Sequence, residues 1–183
     1  MAMAALSLKC DLTKAGMKFE KDASKFIHMG KIRCGNDNPF LLNFSGEICS
    51  AGIGANEFIN GKKKTTSYSV GMEIEEGSSE MLIFAQIAAL AKAEITKIST
   101  DEWEYSDLIK DDNKLYIKLK TDSTNRAFST KTNLSINPKK YSESNDYDIL
   151  SFSGDVQVWF NLDDQKYGIT LTPKKLEFLK NDE

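Results

Sequence analysis

Three segments of this 183-residue chain alternate apolar and polar side chains with a period of two residues: 65–74, 114–120 and 151–162. Successive side chains of a β-strand point to opposite faces of its sheet, so this alternation is typical of strands buried on one face. An α-helix repeats every 3.6 residues and would spread the same apolar side chains around its surface. The alternation therefore constrains the chain to a fold that is rich in half-buried strands.

Shorter apolar segments add to the strands. Five further strands are predicted, at 26–33, 40–44, 47–53, 132–136 and 167–171. The segment 54–64 is predicted to be a loop, in which Asn60 and Gly61 form the central pair of a type I′ hairpin turn. The acidic segment 99–113 is predicted to be a surface loop, and 173–179 to be a short strand or a helical turn.

One segment changes period. Between about residues 79 and 98, apolar residues such as Phe84 and Ile95 follow helical spacing, and alanine is frequent. Ser78 or Ser79 is expected to cap the start of this helix. Short antiparallel strands around one central helix are typical of a barrel or a sandwich. The sequence thus predicts a mainly β fold, an oligonucleotide-binding-fold-like (OB-fold-like) antiparallel barrel with long loops, formed by residues 1–183 as a single domain.

The net charge of −3 is distributed unevenly. Residues 1–70 carry ten basic and six acidic side chains, whereas residues 71–113 carry three basic and eleven acidic ones. The segment 114–140 then holds seven basic residues against Asp122 alone. Two basic regions flank an acidic middle, which fits an ordinary mixed surface and also fits two basic binding regions.

The residues that common catalytic and metal sites need are scarce. His28 is the single histidine, and Cys10, Cys34 and Cys49 are widely spaced with no Cys-x-x-Cys pair. Neither a nucleophile–histidine system nor a zinc site is expected from such residues. The glycines at 52 and 54 begin a dinucleotide fingerprint, which fails because Glu57 stands where the third glycine belongs. We therefore predict a protein that is not an enzyme and that uses no cofactor and no metal.

The location inside the cell follows from two patterns. The short apolar run at the N-terminus lacks the preceding basic residues of a signal peptide. The longest apolar segment, 81–91, is interrupted by Gln86 and is too short to span a membrane. We expect an intracellular protein without membrane contact, whose cysteines are reduced thiols.

Basic residues interleaved with aromatic residues remain as the candidate site. A protein that binds single-stranded nucleic acid needs cations near the phosphates and exposed rings on which bases stack. The polar face of the strand 114–120 offers Lys114, Tyr116, Lys118 and Lys120. The alternative is that Tyr116 merely covers a cross-strand neighbour.

Trp159 lies out of phase with the apolar residues of its strand and is predicted to point away from the core, unless the helix or a loop buries it. Three further groups of basic residues complete the predicted nucleic-acid-binding set: Lys62, Lys63 and Lys64 at the turn, Lys31 and Arg33 on an early strand, and Lys139 and Lys140 on a connector. Each group also fits an ordinary solubilising surface.

Two parts of the chain resemble a known family. The segments 152–162 and 167–179 resemble the closing hairpin of viral single-stranded DNA-binding proteins of T7-like phages and large nucleocytoplasmic DNA viruses, and 38–44 resembles their early strands. The resemblance implies an OB-fold barrel that coats DNA during replication, recombination and repair. Single-stranded DNA and replication proteins would then be the partners.

The leading hypothesis is therefore a sequence-nonspecific single-stranded DNA-binding protein. The alternative is a non-enzymatic structural or assembly module, such as a viral β-sandwich subunit, in which the acidic 71–113 region mediates assembly. The sequence leaves the oligomeric state open under both hypotheses.

Overall fold

A computed structural model describes residues 7–8, 15–21, 27–34, 38–110, 113–119, 127–129, 134–136 and 148–179. Within these ranges the chain forms twelve strands and one helix, α1 (Ser79–Thr96). The strands are β1 (Ser7–Leu8), β2 (Gly16–Lys21), β3 (Ile27–Cys34), β4 (Asn38–Pro39), β5 (Leu41–Asn60), β6 (Lys63–Glu73), β7 (Glu104–Ser106), β8 (Lys114–Leu119), β9 (Ala127–Ser129), β10 (Leu134–Ile136), β11 (Ile149–Asn161) and β12 (Lys166–Leu179).

Strand β11 is the centre of the main sheet, which we define as β1–β3, the first part of β5, β11 and β12, with the short β4 and β7 at its edges. One edge of β11 pairs with β12 over its whole length. Its other edge is shared, because residues 149–155 pair with β5 and residues 157–161 pair with β3. All these pairings are antiparallel, and only the short contact between β12 and β7 is parallel.

Strand β5 continues out of the main sheet into a second one. It pairs with β6 at Ile48 and again from Ile53 to Asn60, with a register shift between Ile48 and Ile53, and β6 in turn pairs with β8. We call the β5–β6–β8 sheet the side sheet. A bulge bends a strand and increases its twist, which is how one strand serves two sheets.

The inner faces of both sheets and one side of α1 enclose a single apolar cluster. Alternate residues of β11 are buried, and Val70 and Ile117 of the side sheet join them. The helix packs on this surface, with the rings of Phe44 and Phe84 6.1 Å apart. Ser78 caps the helix by accepting a hydrogen bond from the Met81 amide. A single core therefore holds the described elements together.

These observations confirm the predicted mainly β, antiparallel fold with one helix, and α1 begins and ends close to the predicted bounds. The strands do not close into the predicted barrel, however. Among the described residues, β2 pairs only with β3, and β8 pairs with β6 and through one bridge with Ile109. The sheet remains open because its two end strands do not meet.

The segment 54–64 is not a loop, which corrects the prediction. The predicted strands at 40–44 and 47–53 are joined in one strand, β5, which begins at Leu41, runs on to Asn60 and forms a hairpin with β6. The central turn residues are Gly61 and Lys62, and only Gly61 has a positive φ, of 61°. A positive φ at the first central position alone is typical of a type II′ turn, so the predicted type I′ turn centred on Asn60 and Gly61 was wrong by one residue.

One further prediction is corrected. The segment 99–113 is not only a surface loop, because it contains β7, and Trp103 is only 5% exposed, with its ring 5.6 Å from that of Phe160. Of the two alternatives predicted for 173–179, the strand is confirmed, since these residues are the end of β12, which pairs with β11. In both places a partner distant in sequence supplies the contacts. The described residues include no helix long and apolar enough to cross a membrane.

Candidate nucleic-acid interface

The outward face of the side sheet consists largely of small residues along β6. Val70 and Met72 of β6 point into the core, so the residues that alternate with them point outward. These outward residues are Lys63, Thr65, Ser67, Ser69, Gly71 and Glu73. Most have short side chains, so little stands above the backbone of β6 on this face. We call this surface the side-sheet face.

Tyr116 stands on the β8 edge of the side-sheet face. It lies opposite Gly71 in the register and is 48% exposed, so its ring is at the surface, as the alternation predicted. A Cβ atom placed on Gly71 would be 3.0 Å from Tyr116 Cε1, which means that the ring also covers this glycine. The ring of Tyr116 is therefore exposed at the surface and also covers a cross-strand neighbour, as the two interpretations of the sequence had it.

Phe58 is a second exposed ring on the side-sheet face. It lies opposite Thr65 near the end of the β5–β6 hairpin and is 61% exposed. Thr65 and Gly71 are six residues apart on β6, which corresponds to about 20 Å at 3.3 Å per residue. Sequence reasoning missed Phe58 because the segment around it was taken for a loop, although an apolar pair followed by a turn signal was visible.

Lysines lie between and beyond these two rings. Lys118 is exposed and lies opposite Ser69, between the positions of the rings. Lys63 is exposed opposite Asn60, beyond Phe58. Within 54–60, 63–73 and 114–119, the one acidic residue on this face is Glu73, at the end beyond Tyr116. The face between the rings thus carries positive charge.

The other lysines predicted near this face differ in their surroundings. Lys114 is half-buried and lies opposite Glu73, so its charge is partly offset. Lys62 is exposed in the turn. Lys64 points to the opposite side of the hairpin and pairs with Glu57 at 2.7 Å. Lys118 and Lys63 therefore remain as the cations on the face itself.

Trp159, Lys31 and Arg33 lie elsewhere, on the outward face of the main sheet. Gly71 of β6 lies between Tyr116 and Cys49 of β5, since a Cβ atom on Gly71 would be close to both side chains. Cys49 is two residues beyond Glu47, which pairs with Ile149 at the start of β11. Trp159 is ten residues further along β11, a path of about 33 Å at 3.3 Å per residue. The predicted set therefore splits into two groups.

Lys120, Lys139 and Lys140 lie outside the described residues. His28 is half-buried, with its ring stacked 4.6 Å from that of Phe160, so it packs against the core. In the part of the chain that the structure describes, no three His, Cys, Asp or Glu side chains are arranged to hold a metal ion. Comparison with known proteins found no matching family model, no matching curated protein and no matching solved structure.

Proposed function

We propose that the protein binds single-stranded DNA without sequence preference, through the side-sheet face. The observation that carries this proposal is the pair of exposed rings, Tyr116 and Phe58, on one face with Lys118 between them. Bases of any sequence stack on such rings, while lysines follow the phosphates. The proposed role is to coat DNA exposed during replication, recombination or repair, with replication proteins as further partners.

The small residues Ser67, Ser69 and Gly71 support the same proposal. A base that stacks on an aromatic ring has to approach the sheet closely, and long side chains along β6 would block it. These small residues lie within the distance of about 20 Å along β6 that separates the positions of the two rings. This length is sufficient for several nucleotides, in line with the roughly 4–16 nucleotides that OB-fold domains bind.

Removing one ring tests the stacking. We expect Tyr116→Ala and Phe58→Ala each to weaken binding to oligo-dT by about 1–3 kcal/mol, which is a rise in Kd of about 5- to 140-fold. Fluorescence anisotropy with a labelled oligonucleotide measures this change. Tyr116→Phe keeps the ring and should bind like the wild type, which separates the contribution of the ring from that of the hydroxyl group.

Ile59 provides the matched control. It is 76% exposed beside Phe58 on the same hairpin, but it points to the opposite side. Ile59→Ala should leave the affinity for oligo-dT unchanged. Equal losses in Phe58→Ala and Ile59→Ala would contradict the proposal, because they would indicate a general effect on the hairpin.

The salt dependence tests the lysines. Each phosphate contact with a single strand contributes about 0.7 to the magnitude of the slope of log K against log salt concentration. Lys118→Gln should reduce this magnitude by about 0.7, whereas Lys64→Gln, which removes a lysine paired with Glu57, should not. The proposal fails if the wild type shows no salt-sensitive binding to any single strand.

A second candidate function is assembly, which the exposed Ile59 favours. Ile59 is exposed next to Phe58, and apolar side chains that are exposed together mark contacts with partner chains. Light scattering that finds a stable oligomer, lost in Ile59→Ser, together with no affinity for nucleic acid, would support this function instead.

A further inference from the structure

Two lysines face each other on the outward side of the main sheet. Lys18 of β2 lies directly opposite Lys31 of β3, and both are exposed. Like charges placed directly opposite each other on a sheet are destabilising. Neither lysine pairs with a carboxylate among the described residues. The fold therefore retains an unfavourable contact that a bound anion would relieve.

Arg33 extends this positive charge. It lies two residues beyond Lys31 on the same face and is exposed. Its partner across the sheet is Gly16, which has no side chain to cover or neutralise the guanidinium group. Glu20 lies on the same face of β2, two residues from Lys18, so these positions hold three cations and one carboxylate. Asp155 on β11 and Glu104 on β7 pair with Lys174 at 3.1 Å and Lys166 at 3.5 Å.

The ring of Trp159 adjoins these cations. Gln157, the direct partner of Lys31, is two residues from Trp159 on β11, about 7 Å at 3.3 Å per residue. A Cβ atom placed on Gly168 would be 2.8, 2.9 and 2.9 Å from Cζ2, Cε2 and Nε1 of Trp159. Such similar distances to three ring atoms mean that the indole lies flat over Gly168. Its other face points away from the sheet.

We infer that Lys18, Lys31, Arg33 and Trp159, which we call the main-sheet patch, form a second contact for the same DNA strand. The cations hold phosphates, and one base stacks on the outward face of Trp159. This inference rests on the proposed function of the side-sheet face. Trp159 lies about 33 Å along β11 from Ile149, the end of this strand that is nearer to Tyr116, so only a long strand reaches both surfaces.

Occupation of two surfaces by one strand raises the affinity through effective concentration. Once the side-sheet face holds a strand, binding to the main-sheet patch is intramolecular. A strand too short to bridge the surfaces gains nothing. The inference therefore predicts a rise in affinity above a threshold length, and a loss of this rise when the patch is removed.

The experiment compares two lengths of oligo-dT. The short one, of about 5 nucleotides, is at the low end of the range that a single OB-fold site binds, and the long one, of about 30 nucleotides, is well beyond it. The double variant Lys18→Gln/Lys31→Gln should raise the Kd for the long strand by about tenfold or more and leave the Kd for the short strand within about twofold. Lys92→Gln/Lys97→Gln on α1 removes the same charge at another surface and is the control. Because Lys18→Gln/Lys31→Gln relieves a like-charge pair, its Tm should be unchanged or higher.

Tryptophan fluorescence gives a second readout. Trp103 is buried, so the quenching caused by DNA should come from Trp159. The long strand should quench this fluorescence and the short strand should not, and Trp159→Phe should remove the effect.

Three results would overturn the inference. If the double lysine variant binds the long strand like the wild type while Tyr116→Ala binds it weakly, the second contact is wrong and the proposed function stands. Equal weakening of short and long strands would indicate a general electrostatic effect. If the wild type binds neither strand but binds vesicles containing phosphatidylserine through these lysines, both proposals fail.

Discussion

Glycines across the sheet decide how the outward rings of Trp159 and Tyr116 lie. Gly168 lets the indole of Trp159 lie flat on the main sheet, and Gly71 receives the ring of Tyr116. Any side chain at these positions would push the rings away from the sheet. The phase of each aromatic residue in its own strand is visible in the sequence, but the glycine opposite it is known only once the register is known.

At the residue scale, a substitution of Gly154 tests how tightly the neighbouring backbones of β11 and β12 pack. Its position coincides with the register shift in the β11–β12 pairing, and an added Cβ would overlap the carbonyl oxygen of Thr172 and lie 2.9 Å from the Cα of Pro173. We expect Gly154→Ala to lower the free energy of unfolding by about 1–3 kcal/mol, measured by urea denaturation. Gly16→Ala meets no atom within 4 Å and is the control, with an expected change of less than about 1 kcal/mol. Equal stability of the two variants would contradict this packing.

Tyr105 gives a pH dependence at high pH. Burial is the largest cause that raises its pKa to about 12, followed by the negative charge of Asp107, while a hydrogen bond with the backbone of Leu108 opposes the shift. The folded state therefore keeps the phenol proton more firmly than the unfolded state, in which the pKa is 10.0. This contribution to stability is complete below pH 10 and is lost as the pH rises towards 12.

Tyr105→Phe should remove this part of the alkaline destabilisation. We expect the urea midpoint of the wild type to fall more steeply than that of the variant between about pH 10 and pH 12. Burial also raises the pKa of Tyr167, whose ring lies 5.2 Å from that of Tyr105, so part of the slope should persist in the variant. Parallel curves for the two proteins would show that Tyr105 does not carry the effect.

At the scale of elements, the β5–β6 hairpin shows why one strand was taken for two strands and a loop. Small residues interrupt the apolar pattern at Ser45–Gly46 and again at Gly54, and such residues usually indicate turns. In the structure, pairing with β11 and then with β6 keeps the chain extended through both places. The residues 56–65 are exposed, so no burial pattern marked them as a strand.

The turn of this hairpin depends on Gly61. Its φ of 61° is unfavourable for a residue with a Cβ, at a cost of roughly 1–2 kcal/mol. We expect Gly61→Ala to increase hydrogen exchange of the hairpin amides and, under the proposed function, to weaken binding to oligo-dT through Phe58. Lys62→Ala, at the second central position where φ is not positive, is the control for hairpin geometry. Unchanged exchange in Gly61→Ala would contradict the assigned turn.

At the scale of the whole molecule, β11 has the most extensive strand pairing among the described residues. It pairs with β12, β5 and β3, and Phe160 on its inner face contacts the rings of Phe19, His28 and Trp103. Strands β2 and β8 each have one long pairing among the described residues. The stability of the sheet should therefore decrease from β11 towards its ends.

Native-state hydrogen exchange tests this gradient. Amides of β11 should exchange only through global unfolding, whereas those of the 56–65 hairpin end should exchange through local opening with a much lower free energy. β2 and β8 should lie between these limits. Uniform protection across these four regions would contradict a central role for β11.

The sequence alone determined the elements whose pattern is local. Alternation identified the strands around 65–74, 114–120 and 151–162, and helical spacing identified α1, because burial on one face leaves a repeat that neighbouring residues reveal. The same alternation placed Tyr116 and Trp159 outside the core. The tertiary structure decided what depends on partners distant along the chain. It left the sheet open, extended β5 through two sheets, brought Phe58 onto the face of Tyr116, separated Trp159 from it, and set Lys18 opposite Lys31. Strand pairing joins residues that are far apart in sequence, and no local repeat encodes which strand becomes the neighbour.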